Sequence, residues 1–336
     1  MKHPCFRYAV ALLTALLLAL ICCLPLLMPS ADNADPSDDG NAATNMLLDF
    51  VSNGDGTCYV AGMGACTDTD LVILSLSPSG DAVTAIEKYA FFEHSTLTSL
   101  TLPDTLTEIG TKAFYGCTSI AALTLPQGVR SIHNGAFGMC ESLTALTLPA
   151  SLSHLGVGAF HGCIRLESFR VAGGNPVYHS TYNCIIETQS RTLVSGCRAS
   201  VIPDDGSVAR IGMSAFAYCT TVYSMEIPTA VEVIEQGAFM GCTALSELFL
   251  SEGLTEIERS AFAGCISLER LVIPASVKHI HPSVFESCTS LAEIVLKNTS
   301  GWYADSHRFT SRDLVDPKAA ASLMCGQFLF NHWTRG

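Results

Sequence analysis

The chain has 336 residues, of which 49% are hydrophobic and 15% charged, and its formal net charge is −13. That composition is too apolar for a disordered protein. An acidic balance with no basic stripe also argues against a nucleic-acid partner.

Residues 1–31 read as a targeting segment. Lys2 and Arg7 precede an uncharged, almost wholly apolar run over residues 8–28, the pattern of a signal peptide. The run is also long enough to span a bilayer uncut, as a signal anchor. Cys22 and Cys23 add a lipidated N-terminus as a third option, although Ile21 is not the small residue usually found before a lipidated cysteine. All three readings export the body of the protein, either secreted or attached to the cell surface. Membrane contact is expected only through this segment. Residues 32–44, with Asp32, Asp35, Asp38 and Asp39, read as an acidic tether.

Residues 45–86 read as an N-terminal β cap. Two extended stretches, 46–52 and 57–61, flank Asn53-Gly54-Asp55-Gly56, a strong hairpin turn. A third strand is expected over residues 71–76. Asp55, Asp68 and Asp70 fit no calcium loop and read as turn residues. Cys58 and Cys66 leave a disulfide open here.

Residues 87–296 are a repeat. The pair Ala113-Phe114 returns at Ala136-Phe137 and Ala159-Phe160, a period of 23 residues, and again at Ala215-Phe216, Ala238-Phe239 and Ala261-Phe262. Ala90-Phe91 precedes the series and Val284-Phe285 ends it. Such a period is the signature of stacked coils. In each coil a short alternating segment, such as Leu100 and Leu102 between Ser99 and Thr101, reads as a strand with one buried face. Pro103, Pro126, Pro149, Pro228 and Pro274 end it. In the return half, Ile109 and Phe114 are expected to point inward. Cys117, Cys140, Cys163, Cys219, Cys242, Cys265 and Cys288 each follow a repeat phenylalanine by three positions. One structural position repeated in this way reads as buried thiols filling a layer of the core, not as redox or metal chemistry.

Residues 173–207 interrupt the array. Two stretches, 184–187 and 192–195, read as a hairpin around residues 188–191, and Val201-Ile202-Pro203 resembles the end of a repeat strand. The insertion is therefore expected to replace one coil with an elaborated one. A Cys184–Cys197 disulfide is left open. Residues 297–336 read as a C-terminal cap, with Asp316 as helix N-cap, Pro317 in the first turn and a short helix over 318–326. Phe328, Phe330 and Trp333 follow it.

The unit Leu-x-x-Leu-x-Leu-Pro-x-x-Leu-x-x-Ile-x-x-x-Ala-Phe-x-x-Cys, as at residues 97–117, resembles the BspA-like class of leucine-rich repeats, including the treponemal type. The turn at residues 54–59, the insertion at 175–197 and the tail from Asp316 to Trp333 also look like that family's usual flanks. Departures fall at the ends of the array, where His94 stands in place of cysteine and Val284 in place of alanine. The resemblance implies a β-rich leucine-rich-repeat solenoid of 23-residue coils, with a parallel concave sheet, an N-terminal β cap and a short C-terminal helical cap. It also implies an exported or surface-attached microbial protein. Members are associated with adhesion to host matrix proteins and with contact between bacteria. The family supplies no catalytic motif.

Residue by residue, no enzyme emerges. His279 and His281 lie two apart on a return segment, but no third ligand shares their register, so no metal is expected. His133 occupies the same repeat position as His281 in a distant coil. No serine elbow or phosphate loop occurs. Glu256 and Glu258, with Glu108 and Glu235 close in register, read as a solvated acidic face. No catalytic residue, metal or cofactor is expected.

The concave strand face is where a solenoid of this kind is expected to bind. Its outward residues are small at first (Ser99, Thr101, Ala122, Thr124, Ala145, Thr147). Beyond the insertion they become large and mixed, starting at Ser224. The expected partner-binding residues are Glu226, Glu247, Phe249, Arg270, Val272, Glu293 and Val295. An outward Phe249 beside Arg270 and Val272 has the composition of a binding hot spot. Cross-strand stabilisation of the sheet offers a purely structural use for the same residues. Two functions therefore stand: adhesin-like binding of a protein or other cell-surface macromolecule, or a structural component of the cell envelope.

Overall fold

The computed structural model describes residues 46–336, so the targeting and tether readings of residues 1–44 lie outside the described residues. The described chain is a β-solenoid whose coils are registered by the Ala-Phe-x-x-Cys turn. The rings of Phe91, Phe114, Phe137 and Phe160 stack at 5.0, 5.2 and 5.6 Å, with successive planes within 6° of parallel. Phe216, Phe239, Phe262 and Phe285 form a second column at 5.1, 5.6 and 6.3 Å. Each buried ring contributes about 2–3 kcal/mol. The backbone ties the coils at the same point: Phe114 N–H donates to Ala136 O at 2.8 Å, and Phe239 N–H to Ala261 O at 2.8 Å.

The residue before each cysteine turns the chain through left-handed backbone. Gly241 does so at φ 71°, and a Cβ there would meet the Tyr218 ring at 2.6 Å. Met139 and Tyr218 take the same conformation at φ 57° and 58°, so the turn is imposed by the stack even where glycine is missing.

Two hydrogen-bonded surfaces run along the coils. The short return strands form the longer one. Thr57–Gly62, Ala82–Ile86, Glu108–Ile109, Ser131–Ile132 and His154–Leu155 pair in succession, with Asp49–Ser52 antiparallel at the outer edge. After the insertion, Arg210–Ile211, Val233–Ile234, Glu256–Ile257 and His279–Ile280 continue the pattern. The alternating strands of the other surface pair only two by two. Ser99–Thr101 joins Asp70–Val72, Ala145–Leu148 joins Ser168–Val171, Ser224–Ile227 joins Glu247–Leu250, and Arg270–Ile273 joins Glu293–Leu296. The strand face expected as one parallel sheet is thus a series of two-stranded pieces. Corner hydroxyls help hold the coils together: Thr105, Ser151 and Ser276 donate to Val83, Val129 and Leu254 carbonyls at 2.7, 2.6 and 2.7 Å.

The insertion builds a wall between two cores. Tyr178–Thr181, Cys184–Glu187 and Thr192–Ser195 form an antiparallel meander, and the last of these pairs in parallel with Arg210–Ile211, taking the place of a return strand. The strand Tyr178–Thr181 lay unrecognised in the sequence. Along Cys184–Glu187, Ile185 packs into the core of the preceding coils, whereas Cys184 and Ile186 pack into the following one. A bulge sets Ile185 opposite Ser195. Side chains finish the open edges. Tyr178 Oη accepts from Leu155 N–H at 3.0 Å, Asn183 Oδ1 from Phe169 N–H at 3.2 Å, and Ser180 Oγ from Val171 N–H at 3.0 Å.

At the C-terminal end, α1 (Ser311–Leu314) and α2 (Pro317–Ser322) follow the last repeat strand. Asp316 caps α2 by accepting from Lys318 N–H at 3.0 Å. The chain then widens into a π-helical turn, Leu323–Gln327. Helix α2 lies against Glu293–Leu296, and Trp333–Arg335 adds an antiparallel strand to His279–Ile280. Trp302 and Trp333 are buried, and their indole N–H groups donate to Asn298 and Phe328 carbonyls at 2.8 and 3.2 Å.

Candidate functional site

The seven partner-binding candidates all lie on the strand face, on two adjoining two-stranded pieces. In the first, Glu226 sits directly opposite Phe249, and Glu247 opposite Ser224. In the second, Arg270 is opposite Glu293 and Val272 opposite Val295. Alternation makes this possible: Met225, Ile227, Leu248, Leu250, Leu271, Ile273, Ile294 and Leu296 are buried, which turns their neighbours outward. Glu226, Glu247, Phe249 and Arg270 are exposed, while Val272, Glu293 and Val295 are half-buried.

The two pieces meet at a break. Glu247–Leu250 pairs only with Ser224–Ile227, and Arg270–Ile273 only with Glu293–Leu296, so no ladder joins Glu247–Leu250 to Arg270–Ile273. A shallow depression of about 360 Å³ lies over that line, with Glu247, Phe249, Arg270, Val272 and Lys297 around it. Phe249 is 56% exposed, a large aromatic surface in the middle of a strand. Arg270 Nε stands 3.4 Å from Glu293 Oε2, and Lys297 Nζ 3.1 Å from Glu252 Oε1. The Lys297 hydrogen bond holds the Glu252 carboxyl below its usual range. Both cations of this region are therefore already paired. Lys297, Glu252 and the exposed Tyr223 escaped the sequence reading. They stand just beyond the ends of the strands, outside the alternating positions.

The histidines cluster more than their spacing suggested. His281 Nε2 lies 2.7 Å from Glu256 Oε1, and His133 Nε2 lies 2.8 Å from Glu108 Oε1. His332, brought in by the C-terminal strand, is the neighbour missing from the sequence: its ring is 4.4 Å from His281 and 5.7 Å from His279. These rings lie tilted over one another, and no metal-holding group of three exists among the described residues. Burial, then the charges of His281 and His279, lower the tendency of His332 to protonate. The return face expected to be a solvated acidic surface is in fact cross-paired. Arg210 reaches Glu235 at 2.7 Å and Glu258 at 3.7 Å.

All twelve described cysteines are free thiols, so neither Cys58 with Cys66 nor Cys184 with Cys197 is bridged. The ladder thiols do more than fill space. Those of Cys117, Cys140, Cys163, Cys242, Cys265 and Cys288 each donate to the carbonyl of the phenylalanine one coil earlier, at 3.1–3.3 Å. Burial pushes Cys117 and Cys163 up to about 12, which removes them as nucleophiles at neutral pH. No helix among the described residues is long and apolar enough to cross a membrane.

A family model described as a BspA-type leucine-rich repeat region matches residues 66–185 and 209–322, in six copies. No curated protein matches the chain. Among solved structures, the pneumococcal vaccine antigen PcpA aligns at 24% identity over 69% of this chain and 63% of that one, with a TM-score of 0.58. A leucine-rich repeat protein from Bacteroides ovatus aligns at 21% identity over 75% of this chain and 64% of that one, with a TM-score of 0.50. The T. pallidum leucine-rich repeat protein aligns at 25% identity over 66% of this chain and 88% of that one, with a TM-score of 0.41. The chain spans less than two thirds of the length of the first two.

Proposed function

The chain belongs to the BspA-type leucine-rich repeat family, and on that premise we propose that it is an exported, non-enzymatic protein that binds another macromolecule through residues 224–295 of its strand face. The observation that carries this reading is the exposed ring of Phe249, beside Arg270 and Val272 at a break in the sheet. A rigid coil stack holds these side chains at fixed spacing, so little ordering is needed on binding. The apolar run over residues 8–28 supports export.

The test is a pull-down with residues 45–336 against matrix proteins and cell envelopes. Phe249→Ala should abolish capture and Arg270→Glu should change its strength, with the circular dichroism of both variants unaltered. Unchanged capture by both would defeat this placement of the site.

A second reading is a structural envelope component without a specific ligand. It is favoured by the pairing of Arg270 with Glu293 and of Lys297 with Glu252, which spends both cations within the sheet. A pull-down that captures nothing would support it.

A further inference from the structure

The charge of the strand face changes along the array, and the change coincides with its exposed aromatics. Before the insertion, the outward positions Ser99, Thr101, Ala122, Thr124, Ala145 and Thr147 carry no charge, and the two charged ones, Asp70 opposite Ser99 and Arg170 opposite Thr147, are of opposite sign. Around Phe249 they are acidic. Glu226 is opposite Phe249 across the pair, and Glu247 lies two residues before it on the same face. Neither carboxylate has an ion-pair partner among the described residues, whereas the cations Arg270 and Lys297 are both held by other carboxylates. Paired residues of adjacent strands stand about 5 Å apart and alternate residues of one strand about 7 Å, so both charges fall within reach of whatever covers the Phe249 ring.

We infer that this face takes a basic polypeptide segment, with an arginine or lysine of the partner lying over the Phe249 ring and held by Glu226 and Glu247. The inference rests on the strand-face reading above and adds the chemistry of the partner. An aromatic face attracts a cation through its quadrupole, and two uncompensated carboxylates beside it add direct pairing. An acidic partner would instead meet Glu226 and Glu247 head-on, and could reach Arg270 or Lys297 only by displacing Glu293 or Glu252. Complementarity of this kind acts on association rate and on rejection of wrong partners.

The experiment uses the full-length protein and two fluorescent decapeptides, one alternating arginine with serine and one alternating glutamate with serine. Their binding is followed by anisotropy at low and at physiological salt. The arginine peptide should bind and the glutamate peptide should not. Both Glu226→Gln/Glu247→Gln and Phe249→Ala should weaken binding at least ten-fold, and Arg270→Glu should tighten it. Glu93→Gln/Glu141→Gln, which removes the same charge from exposed positions outside the strand face, should leave it unchanged. Equal weakening by the two double variants, or no binding of the arginine peptide, overturns the inference. Binding of the glutamate peptide that Phe249→Ala abolishes would also overturn it while leaving the strand-face site in place. Peptide binding indifferent to Phe249→Ala would remove both.

Discussion

The Sγ of Cys140 donates to the carbonyl oxygen of Phe114 at 3.3 Å, across one coil boundary and 26 residues of sequence. The same carbonyl accepts from Cys117 N–H at 3.2 Å, so the phenylalanine of one coil is tied to its own cysteine and to the next one. The thiol is therefore a coil-to-coil fastener inside a dry core. Cys140→Ala should lower stability by about 1–2 kcal/mol, from a small cavity plus one lost hydrogen bond. Cys140→Ser, which keeps a donor, should lose less. Urea denaturation measures both, and equal losses would reduce the thiol to packing.

The same burial predicts chemical silence. Cys117 and Cys163 are pushed up to about 12, and Cys288 to about 11, so almost no thiolate exists at pH 8. Iodoacetamide should leave these three unlabelled in the native protein and modify them only once denaturant unfolds it. Mass spectrometry of the labelled peptides reads this directly. Native labelling at the rate of a free thiol would contradict the burial.

The period of 23 made the coil, its phenylalanine column and its buried cysteines legible, because each is one position repeated. The thiol-to-carbonyl bonds were not legible, since the acceptor is backbone and any residue could supply it. The break between Glu247–Leu250 and Arg270–Ile273 was equally hidden: both segments alternate cleanly, and alternation reports facing, not pairing. His332 was missed because it joins His279 and His281 only when the C-terminal strand folds back. Phe249 was legible because an apolar side chain stands at a position whose equivalents in other coils are mostly polar.

The seam at the insertion should be sensitive to single atoms. Tyr178→Phe removes the side-chain acceptor of Leu155 N–H, at the edge where this return sheet ends among the described residues. Leaving that donor without its acceptor should cost about 1–3 kcal/mol. Gly196→Ala should be destabilising by a comparable amount, about 1–3 kcal/mol, because a Cβ there would collide with the ring of Phe216. Gly80→Ala is a contrast on space alone: nothing lies within 4 Å of its Cβ, although φ there is 89° and some backbone strain remains. Thermal melts of the three variants should show clear losses for the two seam positions, and Tyr178→Phe as stable as the parent would remove the phenol from the seam's account.

Stability should fall on mild acidification, through two histidines in particular. Burial lowers His161 below its ordinary 6.5, against a hydrogen bond to Gly158 that works the other way. Burial and then His281 and His279 lower His332. Asp305 and Glu256 oppose the shift. As pH drops through about 6.5 the unfolded chain takes up protons that the folded protein still refuses, so the unfolded state binds more protons and folding weakens. The contribution is complete above that value and is lost progressively below it, until the folded histidines protonate as well. Melting temperatures recorded from pH 8 to pH 5 should therefore decline over the lower half of that range. His332→Phe keeps a ring against His281 but cannot protonate, and should flatten part of the decline, with His161→Phe flattening another part. A variant that shifts the whole curve without changing its slope would assign the acid sensitivity to other groups.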